Sequence, residues 1–193
     1  EEGRNNTGGQ PGAAQADTGV PNLAPFFVSL PDSVALVGML FTYVPRAEDP
    51  EGKAVSLEIS DLPGWLSWNG EVLRGIPGES DQGVFQVGVY AKDAEHSVKQ
   101  VWHIRIGSAR SLFELPEVGF ARIGLTWRLP LKRVAGVQLQ VEGGPEWDAT
   151  SRQLIWKPEA GDEGEQNVIV GLSGRGAQEL FVPISVTVSP RPP

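Results

Sequence analysis

The chain has 193 residues, 40% of them hydrophobic and 21% charged, and a formal net charge of −8. That length suits one large domain or two small ones, and an acidic chain without a Lys/Arg cluster argues against a nucleic-acid partner. It holds no cysteine, which excludes thiolate catalysis, cysteine-ligated zinc and disulfide bridges.

The first 25 residues, EEGRNNTGGQPGAAQADTGVPNLAP, have almost no large apolar side chains and no periodicity. Such a segment buries too little surface to offset its ordering entropy, so residues 1–25 are expected to be a flexible N-terminal arm. From Phe26 onward the pattern is that of strands. Apolar and polar residues alternate in 55–59, 83–91, 98–106, 136–141, 166–172 and 180–188, the period of a half-buried β-strand. Turn clusters such as EDPEG, IPGESDQG and PEAGDEG separate them. No window shows helical periodicity with caps, so the expected class is all-β. No apolar run approaches the roughly 20 residues of a membrane-spanning helix. The closing SPRPP gives a Pro-rich tail, 190–193.

Residues 63–89 recur as residues 145–171. Leu73, Pro77, Asp81, Gly83, Val87 and Val89 meet Leu154, Pro158, Asp162, Gly164, Val168 and Val170, each 81 positions later. Trp65 meets Trp147 after a one-residue gap. A self-match of this length predicts two copies of one unit, 26–108 and 109–189, each of a size that suits a seven-strand sandwich. GSARS (107–111) is then a short linker that restricts motion between them.

The first copy resembles the cadherin-like, immunoglobulin-type domains of bacterial surface proteins and dystroglycan, the putative-Ig domains. It supplies their Leu62, Pro63, Trp65 and Leu66, then Leu73, Gly75 and Pro77, then Asp81 and Gly83, then Ala91 and Asp93. The second copy is similar to the variant in which Trp-x-Pro replaces Gly-x-Pro. The resemblance implies two tandem immunoglobulin/cadherin-like β-sandwiches. It also implies an extracytoplasmic setting, in the periplasm or at the cell surface and peripheral to a membrane. Function is a separate matter, because such folds serve as spacers, adhesins and interaction modules alike.

Side chains that carry chemistry are few. Only His96 and His103 are available as bases, in a turn and in a strand, and neither neighbours a glycine-flanked serine elbow. Acidic residues fall in turns, where Asp and Glu are expected. A non-catalytic chain without a cofactor is the expectation. The resemblance to cadherins raises calcium, with Asp49, Glu51 and Asp93 as the candidate ligands. The linker lacks the Asp-Asn ligands of cadherins, and Lys132 and Arg133 in the second copy repel a cation. Trp65 is expected in the core and Trp68 on a strand face, since both cannot point inward from one regular strand. Trp68 and Trp102, with Phe26 and Phe27, form the expected binding surface; Trp127 and Trp156 are further candidates. The expected role is a structural and interaction subunit. It docks on a bacterial envelope or membrane-associated protein complex through its arm and sandwich surfaces. The alternative is a glycan-binding or calcium-dependent adhesive module.

Overall fold

The computed structural model of the chain describes residues 21–134, 136–174 and 179–190. Residues 1–20 of the expected arm and residues 191–193 of the tail lie outside the described residues. Among the described residues nine strands precede a short helix: β1 (Phe26–Phe27), β2 (Val34–Leu36), β3 (Phe41–Tyr43), β4 (Ala47–Glu48), β5 (Ser56–Asp61), β6 (Leu66–Trp68), β7 (Leu73–Gly75), β8 (Gly83–Lys92) and β9 (Ser97–Gly107). The helix is α1 (Ala109–Phe113). Seven strands follow: β10 (Val118–Arg122), β11 (Trp127–Pro130), β12 (Gln138–Glu142), β13 (Glu146–Asp148), β14 (Gln153–Trp156), β15 (Gly164–Ser173) and β16 (Glu179–Ser189).

The strands form two sandwiches of the same design. The first packs a sheet of order β2-β9-β8-β5 against one of order β3-β7-β6. The second packs β10-β16-β15-β12 against β11-β14-β13. In each, the first strand runs parallel to the last, β2 beside β9 and β10 beside β16. Every other pairing is antiparallel. β1 and β4 make a separate small ribbon beside the first sandwich. The alternation seen in sequence becomes the burial pattern: Val87, Val89 and Ile104 are fully buried in the first core, and Val168, Val170 and Ile184 in the second.

The 81-residue repeat extends to individual hydrogen bonds. A 3₁₀ turn at Glu79–Asp81 is closed by the Gly78 amide donating to Asp81 Oδ2 at 2.8 Å. The turn at Ala160–Asp162 is closed by the Glu159 amide donating to Asp162 Oδ2 at 2.7 Å. Pro77 and Pro158 are both buried, and their carbonyls accept from the Gly38 and Gly124 amides at 2.9 and 2.8 Å.

Register corrects the sequence alignment at one place. Trp68 lies opposite the buried Leu73, and Trp147 lies opposite its counterpart Leu154. Trp147 is therefore the partner of Trp68 in the repeat, and Trp65 matches Gly144. In the first unit a Cβ on Gly75 would lie 3.0 Å from Trp65 Cε3, and in the second a Cβ on Gly144 would lie 2.8 Å from Trp156 Cε2. Gly75 and Trp156 occupy the same position of the repeat, two residues before Pro77 and Pro158. The tryptophan and the glycine have thus exchanged positions between the two copies, Trp65 and Gly144 lying just before β6 and β13 and Gly75 and Trp156 ending β7 and β14. Trp65 and Trp68 both pack against the first core. Trp65 can do so because it sits in the turn before β6 and not on the strand, so strand alternation does not constrain it.

The expected linker is also different. Ser108 caps α1, its Oγ accepting from the Ser111 amide at 3.2 Å, as short hydroxyl side chains do at helix starts. Ala109, Leu112 and Phe113 of the helix are buried in the second core. Leu36 and Met39 of the first unit are buried in that same core, 4% and 5% exposed. The junction is packed, and its restricted motion comes from side-chain burial as well as from its length.

Candidate functional site

The pole of the first sandwich farthest from the junction gathers most of the sequence-predicted polar residues. β8 and β9 are joined by the turn Asp93–His96, and β9 then runs eleven residues to Gly107. At about 3.4 Å per residue this turn stands roughly 35 Å from the start of the second unit. Asn22 lies across it, its Nδ2 donating to Asp93 Oδ2 at 3.1 Å and lying 3.2 Å from His96 Nδ1. Lys53 Nζ donates to Asn22 Oδ1 at 2.5 Å, and the Leu23 amide donates to Glu51 Oε2 at 3.0 Å. The chain is then held through the β1–β4 ribbon and by a polar knot beyond it. Ser29 Oγ lies 2.7 Å from the Tyr43 hydroxyl, which donates to Gln100 Oε1 at 2.8 Å, while Gln100 Nε2 donates to the Ser29 carbonyl at 2.9 Å. Asn22 was not singled out from sequence; its place beside Asp93 depends on how the chain enters the fold.

The three calcium candidates serve three different purposes here. Asp49, 8% exposed, closes its own turn: Oδ1 accepts from the Glu51 and Lys53 amides at 2.9 and 3.0 Å, and Oδ2 is buried without a hydrogen-bond partner. Glu51 holds Leu23. The Asp93 carboxylate is shielded from solvent, and burial opposes its ionisation. The amides of His96 and Glu95 and the Asn22 side chain outweigh that and hold it below the usual carboxylate range. Lys53 brings its own cation to the same pole. Among the described residues no group of three or more His, Cys, Asp or Glu side chains is placed to hold a metal ion.

The aromatic candidates are spread through both units. Trp102 packs on the first core edge-on to Tyr43, with ring centroids 5.3 Å apart, and its indole Nε1 is buried without a hydrogen-bond partner. Trp68 and Phe27 also pack against that core, whereas Phe26 is 46% exposed. Trp127 packs on the second core and Trp156 lies in it, 7% exposed. His103 is exposed on β9, away from the His96 turn. The expected binding residues therefore do not form one patch.

Two sandwiches with these strand orders, each opening on a strand parallel to its last, define a tandem immunoglobulin-type module. Residues 24–107 match the family described as Putative Ig domain. No curated protein matches the chain. Among solved structures it is similar to the N-terminal four Ig domains of Dscam1 isoform 1.9, at 10% identity over 90% of this chain and 53% of that one, with a TM-score of 0.45. It is similar to the endo-fucoidan hydrolase MfFcnA9 of glycoside hydrolase family 107, at 19% identity over 88% and 35%, with a TM-score of 0.45. It is also similar to extracellular domains 3–5 of Drosophila OTK, at 12% identity over 87% and 63%, with a TM-score of 0.38. The chain spans between 29% and 53% of the first four solved structures it matches. Among the described residues no helix is long and apolar enough to cross a membrane.

Proposed function

We propose that this chain is a non-catalytic interaction and spacing module that works outside the cytoplasm and joins a membrane-associated or envelope protein assembly through its N-terminal arm. One observation carries this role: the chain is fastened at Asn22, Leu23 and Ser29 to the pole of the first sandwich that faces away from the second. The residues before Pro21 therefore start from a fixed point, and the second sandwich is presented roughly 35 Å behind them. Those twenty residues contain no Leu, Ile, Met, Phe, Tyr or Trp. A segment of that composition gains its contacts from a partner surface and not from a core of its own. The packed junction supports the spacing part of the role, because Leu36 and Met39 tie the two units into one body.

The test compares the full chain with one that begins at Pro21, each bearing a C-terminal tag, in native membranes of the source cell. Cross-linking and size fractionation are expected to place the full chain in a defined assembly and the shortened chain outside it. Equal incorporation of both chains, or of neither, refutes docking through the arm.

A further inference from the structure

The second sandwich carries a charge arrangement that the first does not, at the loops beside the junction. In Leu131-Lys132-Arg133-Val134 the outer residues are buried, 4% and 8% exposed, so the two cations between them are turned outward. The Lys132 amide donates to the Phe113 carbonyl of α1 at 3.4 Å, and the Leu131 amide donates to the Arg152 carbonyl at 3.0 Å. The second bond sets this loop against the β13–β14 turn, whose last residue, Arg152, is held in the left-handed region at φ 53. Glycine or asparagine is the usual occupant of such a position. The first unit's β6–β7 turn, two residues shorter between its paired tryptophan and leucine, takes its left-handed residue as a glycine, Gly70 at φ 96.

These elements enclose an open cleft of about 780 Å³ lined by Lys132, Arg133 and Arg152 together with Trp147 and Gln138. No Asp or Glu lines it among the described residues. Of the neighbouring carboxylates, one offsets a cation of the cleft and another is held within its own turn, which leaves the two guanidinium groups as the cleft's uncompensated charge. Glu114 is paired with Lys132, and Asp148 accepts from the Thr150 amide at 2.9 Å and from Ser151 Oγ at 2.6 Å. Arg133 and Arg152 make no ion pair among the described residues. In a chain of net charge −8, this is a pocket of the opposite sign. The matching loops of the first unit lean the other way, with Glu48, Asp49, Glu51 and Glu71 outnumbering Arg46 and Lys53.

We infer that this cleft is a binding site for an acidic saccharide, a short run of sugar rings carrying carboxylate or sulfate groups. Two guanidinium forks match such oxyanions in bidentate fashion, which single ammonium groups do not. Trp147 supplies the flat apolar surface on which the carbon face of a sugar ring rests, and the Gln138 amide both donates to and accepts from hydroxyls. The volume falls within the range of about 300–1,000 Å³ of small-ligand sites. An acidic peptide would satisfy the arginines but leave the indole without a ring. The site is independent of the arm, so either can fail without the other.

The test uses calorimetric titration of the full chain with a trigalacturonate and with a sulfated trisaccharide. Neutral maltotriose and a tetraglutamate peptide are the comparison arms. Both acidic saccharides are expected to bind, more weakly as salt rises from about 50 to 500 mM, and maltotriose and the peptide are expected to bind far less. Arg133→Gln and Arg152→Asn, the latter comfortable in the left-handed turn, are each expected to weaken binding about ten- to hundredfold, with thermal melts confirming folded protein. Absence of binding by both acidic saccharides overturns the proposal. So does unchanged affinity in both arginine variants, or peptide binding as tight as that of the saccharides.

Discussion

Replacing Gly75 by alanine tests whether the β6–β7 pair needs a bare Cα beside Trp65. The added Cβ would stand 3.0 Å from both the Trp65 carbonyl carbon and Cε3, and nearer still to the carbonyl oxygen. Side chains relieve overpacking by changing rotamer, but a carbonyl in the turn before β6 moves only if the strand moves with it. The cost should therefore lie at the upper end of the usual overpacking range, about 3 kcal/mol. For a unit of this size about 1 kcal/mol shifts the melting temperature by roughly 4–8 °C, so calorimetry should show the first sandwich melting roughly 12 °C lower or more. Gly161→Ala is the matched control, since a Cβ there meets nothing within 4 Å and such surface changes usually stay within about 0.5 kcal/mol. A Gly75→Ala protein melting within about 3 °C of the parent would refute the steric reasoning.

The exchange of tryptophan and glycine between the copies makes a stronger demand. Trp65→Gly should cost about 3–5 kcal/mol by removing the indole packed on the first core, and adding Gly75→Trp, which reproduces the Gly144/Trp156 arrangement of the second unit, should recover a measurable part of it in denaturant melts. A double variant less stable than Trp65→Gly alone would show that the two arrangements are not interchangeable. Tyr43 gives a pH test. Burial holds its phenol above the usual value of 10.0, against the lowering pull of the Ser29 and Gln100 hydrogen bonds. The folded state then keeps a proton that the unfolded state releases, so this stabilisation is complete below about pH 10 and is lost as pH rises through the folded value. Tyr43→Phe should cost about 1 kcal/mol at neutral pH and show a shallower loss of stability as pH rises above about 10. Parallel curves for the two proteins would exclude Tyr43 as the source.

Much of the architecture was legible because strand alternation is a local signal that burial preserves. Every alternating segment read from the sequence falls largely on a strand, with 136–141 starting two residues before β12. The shared Pro and Asp positions lie in turns with the same hydrogen bonds, while the shared glycines open β8 and β15. Three features were not legible, for separate reasons. Helix α1 has five residues, too few to display a 3.6-residue period, and its apolar Ala109, Leu112 and Phe113 look like loop residues until the second core is seen to receive them. The pairing of Trp65 with Trp147 rested on residue identity. The strand register instead follows the buried leucines, and identity misleads wherever a side chain and a gap trade places across a strand pair. The fastening of Asn22 to Asp93 joins positions 71 residues apart, and no periodicity links them.

Lys132 and Arg133 show how far a residue's meaning depends on its neighbour in space. In sequence they argue only against a cation, because a local run of two positive charges says nothing about what it faces. Their direction is set by Leu131 and Val134, which enter the core on either side, and their company by the amide of Leu131, which draws the Arg152 turn against them. The repeat keeps what the sandwich requires, the buried Leu73 and Leu154, the Pro77 and Pro158 carbonyls and a tryptophan set against a glycine in each copy. It varies what the sandwich does not require, the sign of charge on the β3–β5 loop and on its counterpart between β11 and β12. Selection for folding alone gives no reason for that reversal, since exposed loop charges of either sign contribute little to stability. A charge difference confined to the loops is therefore one that the fold leaves open, and it is on this difference that the proposed cleft rests.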